Sequence, residues 1–288
     1  MGIHGVMHCI AKFTKMINLS SFGSPFKHAP SSCGYLHPLK FSWVHNKKTD
    51  SGIEVYQDYD ILGGTSSTSI NKFLWLCESK SISHKQYEFI KNNYRDLKSV
   101  YKKIFIHDRD YLLLDDIFEY VPPASNQTWV IDKQIHKKTK LVSMISSGKT
   151  VTEGHNFRNK KMEEFKVKNY PIDFYGRSFN PFIKKEDVLN DYYFSIVIEN
   201  GKYSTYYTEK IMDCFATGTI PIYYGAPDID AIFNKDGIII LDDIFDINSI
   251  SPEYYWSKMK AIKDNYEICL THKIADDCLF EKIEMNLE

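Results

Sequence analysis

Glu199, Asn200, Tyr203, Tyr206, Tyr207, Glu209 and Lys210 fall within one short stretch of the chain. Carboxylates accept hydrogen bonds from sugar or ribose hydroxyls, and tyrosines stack or donate. A lysine near a helix start meets a phosphate alongside free backbone N–H groups. Together these groups suit a sugar nucleotide. Glu78 stands just past the apolar run Lys72 to Cys77. A carboxylate at a strand terminus facing a cleft is well placed as a general base. Its competing role is to cap the next helix, which Ser81 or Ser83 begins. Ser146-Ser147-Gly148-Lys149 combines small residues with a lysine, which favours phosphate but is too short for a P-loop. Asp108-Arg109-Asp110 has the spacing that holds a divalent ion against a diphosphate. It also precedes the helix-like YLLLDDIF, where the second Asp serves as a cap. The structural role is preferred, and no metal site is assigned.

These groups need elements to hold them. Phe194 to Gly225 reads as an apolar strand, a polar loop, a helix stopped by Gly218, and a second buried strand, TIPIYY. That is one parallel βαβ crossover, and ligands bind where loops leave the carboxyl ends of such strands. Further strands are expected at Phe41–Val44, Ile53–Tyr56, Lys72–Cys77, up to His107, Lys140–Ser146 and Gly237–Leu241, with a weaker one at Ile3–Ile10. Ser20 to Leu39 and Tyr120 to Trp129 read as loops. Helices are expected over Ser83–Lys98, with Tyr87, Ile90, Tyr94 and Leu97 on one face, over His155–Tyr170 with Arg158, over Lys184–Asp191, and over Ser251–Leu270. The alternation predicts two doubly wound α/β domains facing a cleft. An acceptor-side domain spans 1–136 and a donor domain 137–265. An amphipathic tail, 266–288, is expected to cross back to the first domain.

Composition narrows the function. At 288 residues, 43% hydrophobic and 25% charged, the chain is an ordinary globular protein with room for two modest cores. A net charge of −1 gives no pull toward nucleic acid. Arginine occurs only at 95, 109, 158 and 177, so an Arg at a given place suggests a need for its planar fork, or a lysine-biased genome. The six cysteines show no C-x-x-C pair and no zinc spacing, which fits reduced thiols. No run of about 18 apolar residues and no compact apolar leader are evident, so a cytoplasmic location without a membrane span is expected. The sequons at Asn18 and Asn126 are read as idle.

The central stretch resembles the donor-site motif of the family 10 glycosyltransferases, the α-1,3-fucosyltransferases. The residues carrying the resemblance are Glu199-Asn200, Tyr206-Tyr207-Thr208-Glu209-Lys210, Gly218-Thr219-Ile220-Pro221-Ile222 and Gly225. Ser146, Arg158 and Tyr175-Gly176-Arg177 extend it, and it fades before Phe73 and after Asp243. One departure is Gly201, where the family has Ser. The resemblance implies the GT-B architecture and transfer of L-fucose from GDP-fucose to a glycan hydroxyl with inversion. It implies Glu78 as base, Arg158 and Lys210 as clamps on the diphosphate, and Asn200, Tyr206 and Glu209 as donor-binding residues. Lys149, Glu199, Tyr203 and Arg177 are further candidates. No cofactor is required, although divalent ions are allowed to stimulate. Two alternatives stay open: the same fold with another nucleotide-sugar donor, and a carbohydrate-binding protein with a dead catalytic site.

Overall fold

A computed structural model describes residues 16–177 and 180–287. The strand expected at Ile3–Ile10 lies outside them. The first domain is built on strands Ile17–Phe22 (β1), Phe41–His45 (β2), Ile53–Gln57 (β3), Asn71–Trp75 (β4), Lys103–Ile106 (β5) and Phe118–Tyr120 (β6). Helices His84–Leu97 (α1) and Arg109–Leu112 (α2) separate the later strands. The strands pair in parallel in the order β2-β1-β3-β4-β5-β6.

The second domain begins with Lys140–Ile145 (β7), then Glu153–Val167 (α3), Ile172–Tyr175 (β8), Tyr192–Ile198 (β9), Glu209–Thr217 (α4), Ile220–Tyr224 (β10) and Ile239–Ile240 (β11). Its strands are also parallel, in the order β11-β10-β9-β7-β8. Chain order reverses between β7 and β9, so the crevice at their carboxyl ends is a topological switch point, where open α/β sheets bind ligands. β9 buries every residue from Phe194 to Ile198, as a strand covered on both faces must.

Three helices finish the chain: Pro252–Ser257 (α5), Met259–Thr271 (α6) and Ala275–Met285 (α7). α6 packs on α4 of the second domain. It runs unbroken past residue 265, so the chain leaves that domain near His272. α7 then covers one face of the first sheet, where Ala275, Leu279, Phe280 and Ile283 share a core with Leu19, Phe41, Val55, Phe73 and Phe105. Asn126 fixes this crossing. Its amide donates to the Lys273 carbonyl (3.0 Å) and its carbonyl accepts from the Ala275 N–H (2.8 Å). The Asn126 sequon is thus fully buried.

Two local expectations change. Ser20 and Ser21 lie within β1, not in a loop. Ser20 Oγ accepts from the Thr49 N–H (3.0 Å) and Ser21 Oγ donates to Gln57 (3.1 Å), so neighbouring segments satisfy these buried polar groups. The stretch YLLLDDIF is not one helix. α2 ends at Leu112, and Asp115 accepts from the Ile117 N–H (2.9 Å) in a turn that leads into β6.

Candidate donor site at the sheet switch point

The loop leaving β9 is held from below by Glu199. Its fully buried carboxylate accepts from the Thr208 N–H (2.9 Å), the Thr208 hydroxyl (2.8 Å) and Lys210 Nζ (3.3 Å). Thr208 also caps α4 by accepting from the Lys210 N–H. Glu199 therefore folds the loop back onto the helix that carries Glu209 and Lys210. Lys210 Nζ lies 3.3 Å from Glu209 as well. Burial opposes its charge, but Glu199 and Glu209 overcome that and hold the ammonium above its ordinary pKa.

α3 approaches the same turn end-on. The Gly154 N–H donates to the Asn200 carbonyl (3.1 Å), and a Cβ at 154 would stand 1.9 Å from the Glu199 carbonyl oxygen. Only glycine admits so close an approach. Thr152 and His155 form a capping box at the start of α3, with the Thr152 N–H donating to His155 Nδ1 (3.2 Å). This places the His155 proton on Nε2. Burial, then Arg158, Lys149 and Lys210, push its pKa down to about 4, so the ring is a neutral donor at physiological pH. Arg158, one turn on, is buried and donates one guanidinium N–H to the Ile198 carbonyl.

Glu78 enters from the first domain, three residues beyond β4. It joins Lys149, Arg158, Asn200, Tyr206, Glu209 and Lys210 in lining one cavity of about 440 Å³ between the domains. Burial and the carboxylate of Asp58 push its pKa up to about 7, while Lys210 and Lys149 pull the other way. It caps nothing: its side chain faces the cavity, and Ser83 occupies the cap position of α1.

Three candidates lie elsewhere. Glu199 sits behind the cavity as the brace described above. Tyr203 exchanges a hydroxyl hydrogen bond with Ser81 (2.7 Å) across the domain boundary, and Arg177 is exposed away from the cavity. Gly201 now has a local reason. A Cβ there would stand 2.3 Å from the Tyr203 ring and 2.5 Å from Ser81 Oγ. In the Asp-x-Asp segment the first carboxylate is the cap, not the second: Asp108 accepts from the Asp110 N–H (2.9 Å) and faces Lys80 at 3.7 Å. Among the described residues, no three His, Cys, Asp or Glu side chains converge as metal ligands, and no helix is long and apolar enough to cross a membrane.

His155, Lys185 and Trp129 also line the cavity. Nothing local in the sequence marks them, since each arrives from a different segment of the chain. Lys185 is held 3.1 Å from buried Asp213 and lies over the Trp129 ring. The two domains meet around this cavity. Thr205 donates to the His107 carbonyl, Arg109 lies 3.6 Å from Asp228, and the His107 and Tyr206 rings are 5.4 Å apart.

Residues 135–267 match the model of glycosyltransferase family 10 (fucosyltransferase), C-terminal part. Over 59 residues the chain is 37% identical to alpha-(1,3)-fucosyltransferase FucT of Helicobacter pylori, a segment covering 20% of this chain and 12% of the relative. Over 122 residues it is 30% identical to alpha-(1,3)-fucosyltransferase B of Drosophila melanogaster, covering 42% and 26%. The matched segments thus span well under half of these relatives. The fold is that of a crystallised alpha1,3-fucosyltransferase with GDP-fucose, with a TM-score of 0.51 at 14% identity, covering 98% of this chain and 92% of that one. It is the GT-B architecture of two parallel-sheet α/β domains. The donor-site motif falls inside the segment that matches the glycosyltransferase family 10 model, residues 135–267, and the fold around it is that of a solved alpha1,3-fucosyltransferase.

Proposed function

We propose that the chain is an inverting fucosyltransferase, moving L-fucose from GDP-fucose to a hydroxyl of a glycan acceptor. The observation that carries this reading is the shared cavity. Glu78 of one domain and Arg158 with Lys210 of the other face the same space. Glu78 takes the acceptor's proton as the new C–O bond forms, and a pKa near 7 suits a base working at neutral pH. The bond from the sugar to the diphosphate breaks through an oxocarbenium-like state, and GDP leaves with the electron pair. Arg158, Lys210 and Lys149 oppose the charge growing on the leaving diphosphate. Neutral His155 offers it an N–H. Lys210 is already balanced by two carboxylates, so its role is to present one ammonium at a fixed place, while Arg158 supplies the planar fork. Glu209 and Asn200 bind donor hydroxyls, and Tyr206 walls the site. The cations serve in place of a tightly held metal.

The known α1,3-fucosyltransferase solved with GDP-fucose supports this donor. A thermal-shift panel of GDP, UDP and dTDP tests it, because a ligand at a hundred times its Kd adds about 2.7 kcal/mol. GDP should give the largest shift. A larger shift with UDP or dTDP overturns the donor assignment.

A further inference from the structure

We infer that Asp58, just past the strand beside the one that leads to Glu78, is the residue that positions this carboxylate for proton transfer. The inference rests on the transferase reading of Glu78. Asp58 follows β3, and Glu78 follows β4, its parallel neighbour, with Gln57 paired to Trp75. Asp58 is 1% exposed. Its Oδ2 accepts from the Cys77 N–H (2.8 Å), and its Oδ1 from the Glu78 N–H (3.2 Å) and the Ser83 hydroxyl (3.0 Å). Burial raises the Asp58 pKa, and these three hydrogen bonds, all accepted by its oxygens, oppose that rise and favour the carboxylate.

Ser83 stands at the N-cap position of α1, yet its side chain makes no cap hydrogen bond there. A serine at that position ordinarily satisfies a helix N–H. Here the hydroxyl turns away to Asp58, so one carboxylate ties both ends of the Cys77–Ser83 turn to β3. Tyr87 completes the hold by donating to the Glu78 carbonyl (3.1 Å). The Glu78 backbone is fixed at its N–H and its C=O, which leaves only the side-chain torsions free. Such restraint is what converts a nearby base into an aligned one.

Asp58 also acts through charge. The charged and titratable groups facing Glu78 are Asp58 from the β3 exit, Lys210 and Glu209 from α4, Lys149 from the β7 exit and, across the cavity, His155 and Arg158 of α3. Tyr59 and Tyr206 are its uncharged titratable neighbours. Of these Asp58 is the strongest like charge, and it favours the protonated form of Glu78.

The test compares wild type with Asp58→Asn and Ser83→Ala. Asp58→Asn removes the charge and turns an amide toward the two N–H donors. The Glu78 carboxyl, followed by NMR through a pH titration, should titrate about one pH unit lower. The acidic limb of kcat/KM should follow it. The kcat plateau should fall roughly tenfold, with GDP affinity unchanged. Ser83→Ala keeps the charge and loosens the turn, so kcat should fall a few-fold with the limb in place. An unmoved Glu78 titration in Asp58→Asn overturns the inference. Should that variant not fold, an unchanged kcat in Ser83→Ala overturns it instead. The carboxyl titration needs no turnover, so a wild type that transfers no fucose, with the shift still seen in Asp58→Asn, defeats the transferase reading alone.

Discussion

Oε2 of Glu199 lies 3.3 Å from Nζ of Lys210, and that carboxylate is fully buried beneath the loop it supports. One residue thus shapes the loop that leaves β9, and another presents a cation beside it. Lys210→Ala is expected to do two things. Transfer should fall by about 2.7–4 kcal/mol of transition-state stabilisation, as for other single-donor losses. The fold should also lose on the order of 3 kcal/mol, because Glu199 is left buried without its counter-charge. Steady-state kinetics and urea unfolding check the two separately. A variant of unchanged stability contradicts the brace.

Glu78 gives a prediction in which activity and stability move in opposite directions. Its folded pKa of about 7 lies above the unfolded value of 4.5, so the folded state binds the proton more tightly. Stability is therefore greatest below the unfolded value and declines as pH rises toward 7. Glu78→Gln removes this penalty. Above pH 7 it should stabilise the protein by on the order of 1–3 kcal/mol. Transfer should fall by about 10²–10⁴-fold. Melting curves at pH 5 and pH 8 check the sign: the variant's advantage should appear only at the higher pH.

Gly201→Ser restores the residue that the family carries here, and it should be harmful in this chain. The new Cβ meets the Tyr203 ring and Ser81 Oγ. Overpacking of this kind costs about 1–3 kcal/mol. Removing the Tyr203 ring should recover most of the loss. A double-mutant cycle over Gly201→Ser and Tyr203→Ala measures that coupling.

Phe280 belongs to the last helix but stabilises the first domain. Its ring stacks on Phe41 at 5.0 Å between centroids. Phe280→Ala should destabilise by about 3–5 kcal/mol. GDP affinity of the folded protein should be unchanged, because the proposed donor site lies in the other domain. Chemical denaturation and calorimetric titration of GDP read these out.

The βαβ unit was legible because its apolar runs, its stop at Gly218 and its polar loop follow each other without interruption. β1 was not, since Ser20 and Ser21 look like loop residues until Thr49 and Gln57 arrive to bond them. β6 was hidden by an apolar run that ends as a short helix and a turn. In the site, Glu78 and Lys210 could be named from a strand end and a helix start, and Arg158 from the family resemblance alone. Glu199 was misplaced because a carboxylate at a strand end looks the same whether it faces ligand or braces a loop. Asp58 and His155 depend on neighbouring strands and helix ends that no local pattern records.

The most direct measurement is single-turnover transfer from labelled GDP-fucose to a glycan array, run beside GDP titration, for wild type, Arg158→Ala and Glu78→Gln. Wild type should fucosylate a glycan, Glu78→Gln should bind GDP normally but barely transfer, and Arg158→Ala should lose GDP affinity. Wild-type transfer by Glu78→Gln, or GDP binding indifferent to Arg158, would contradict the transferase reading.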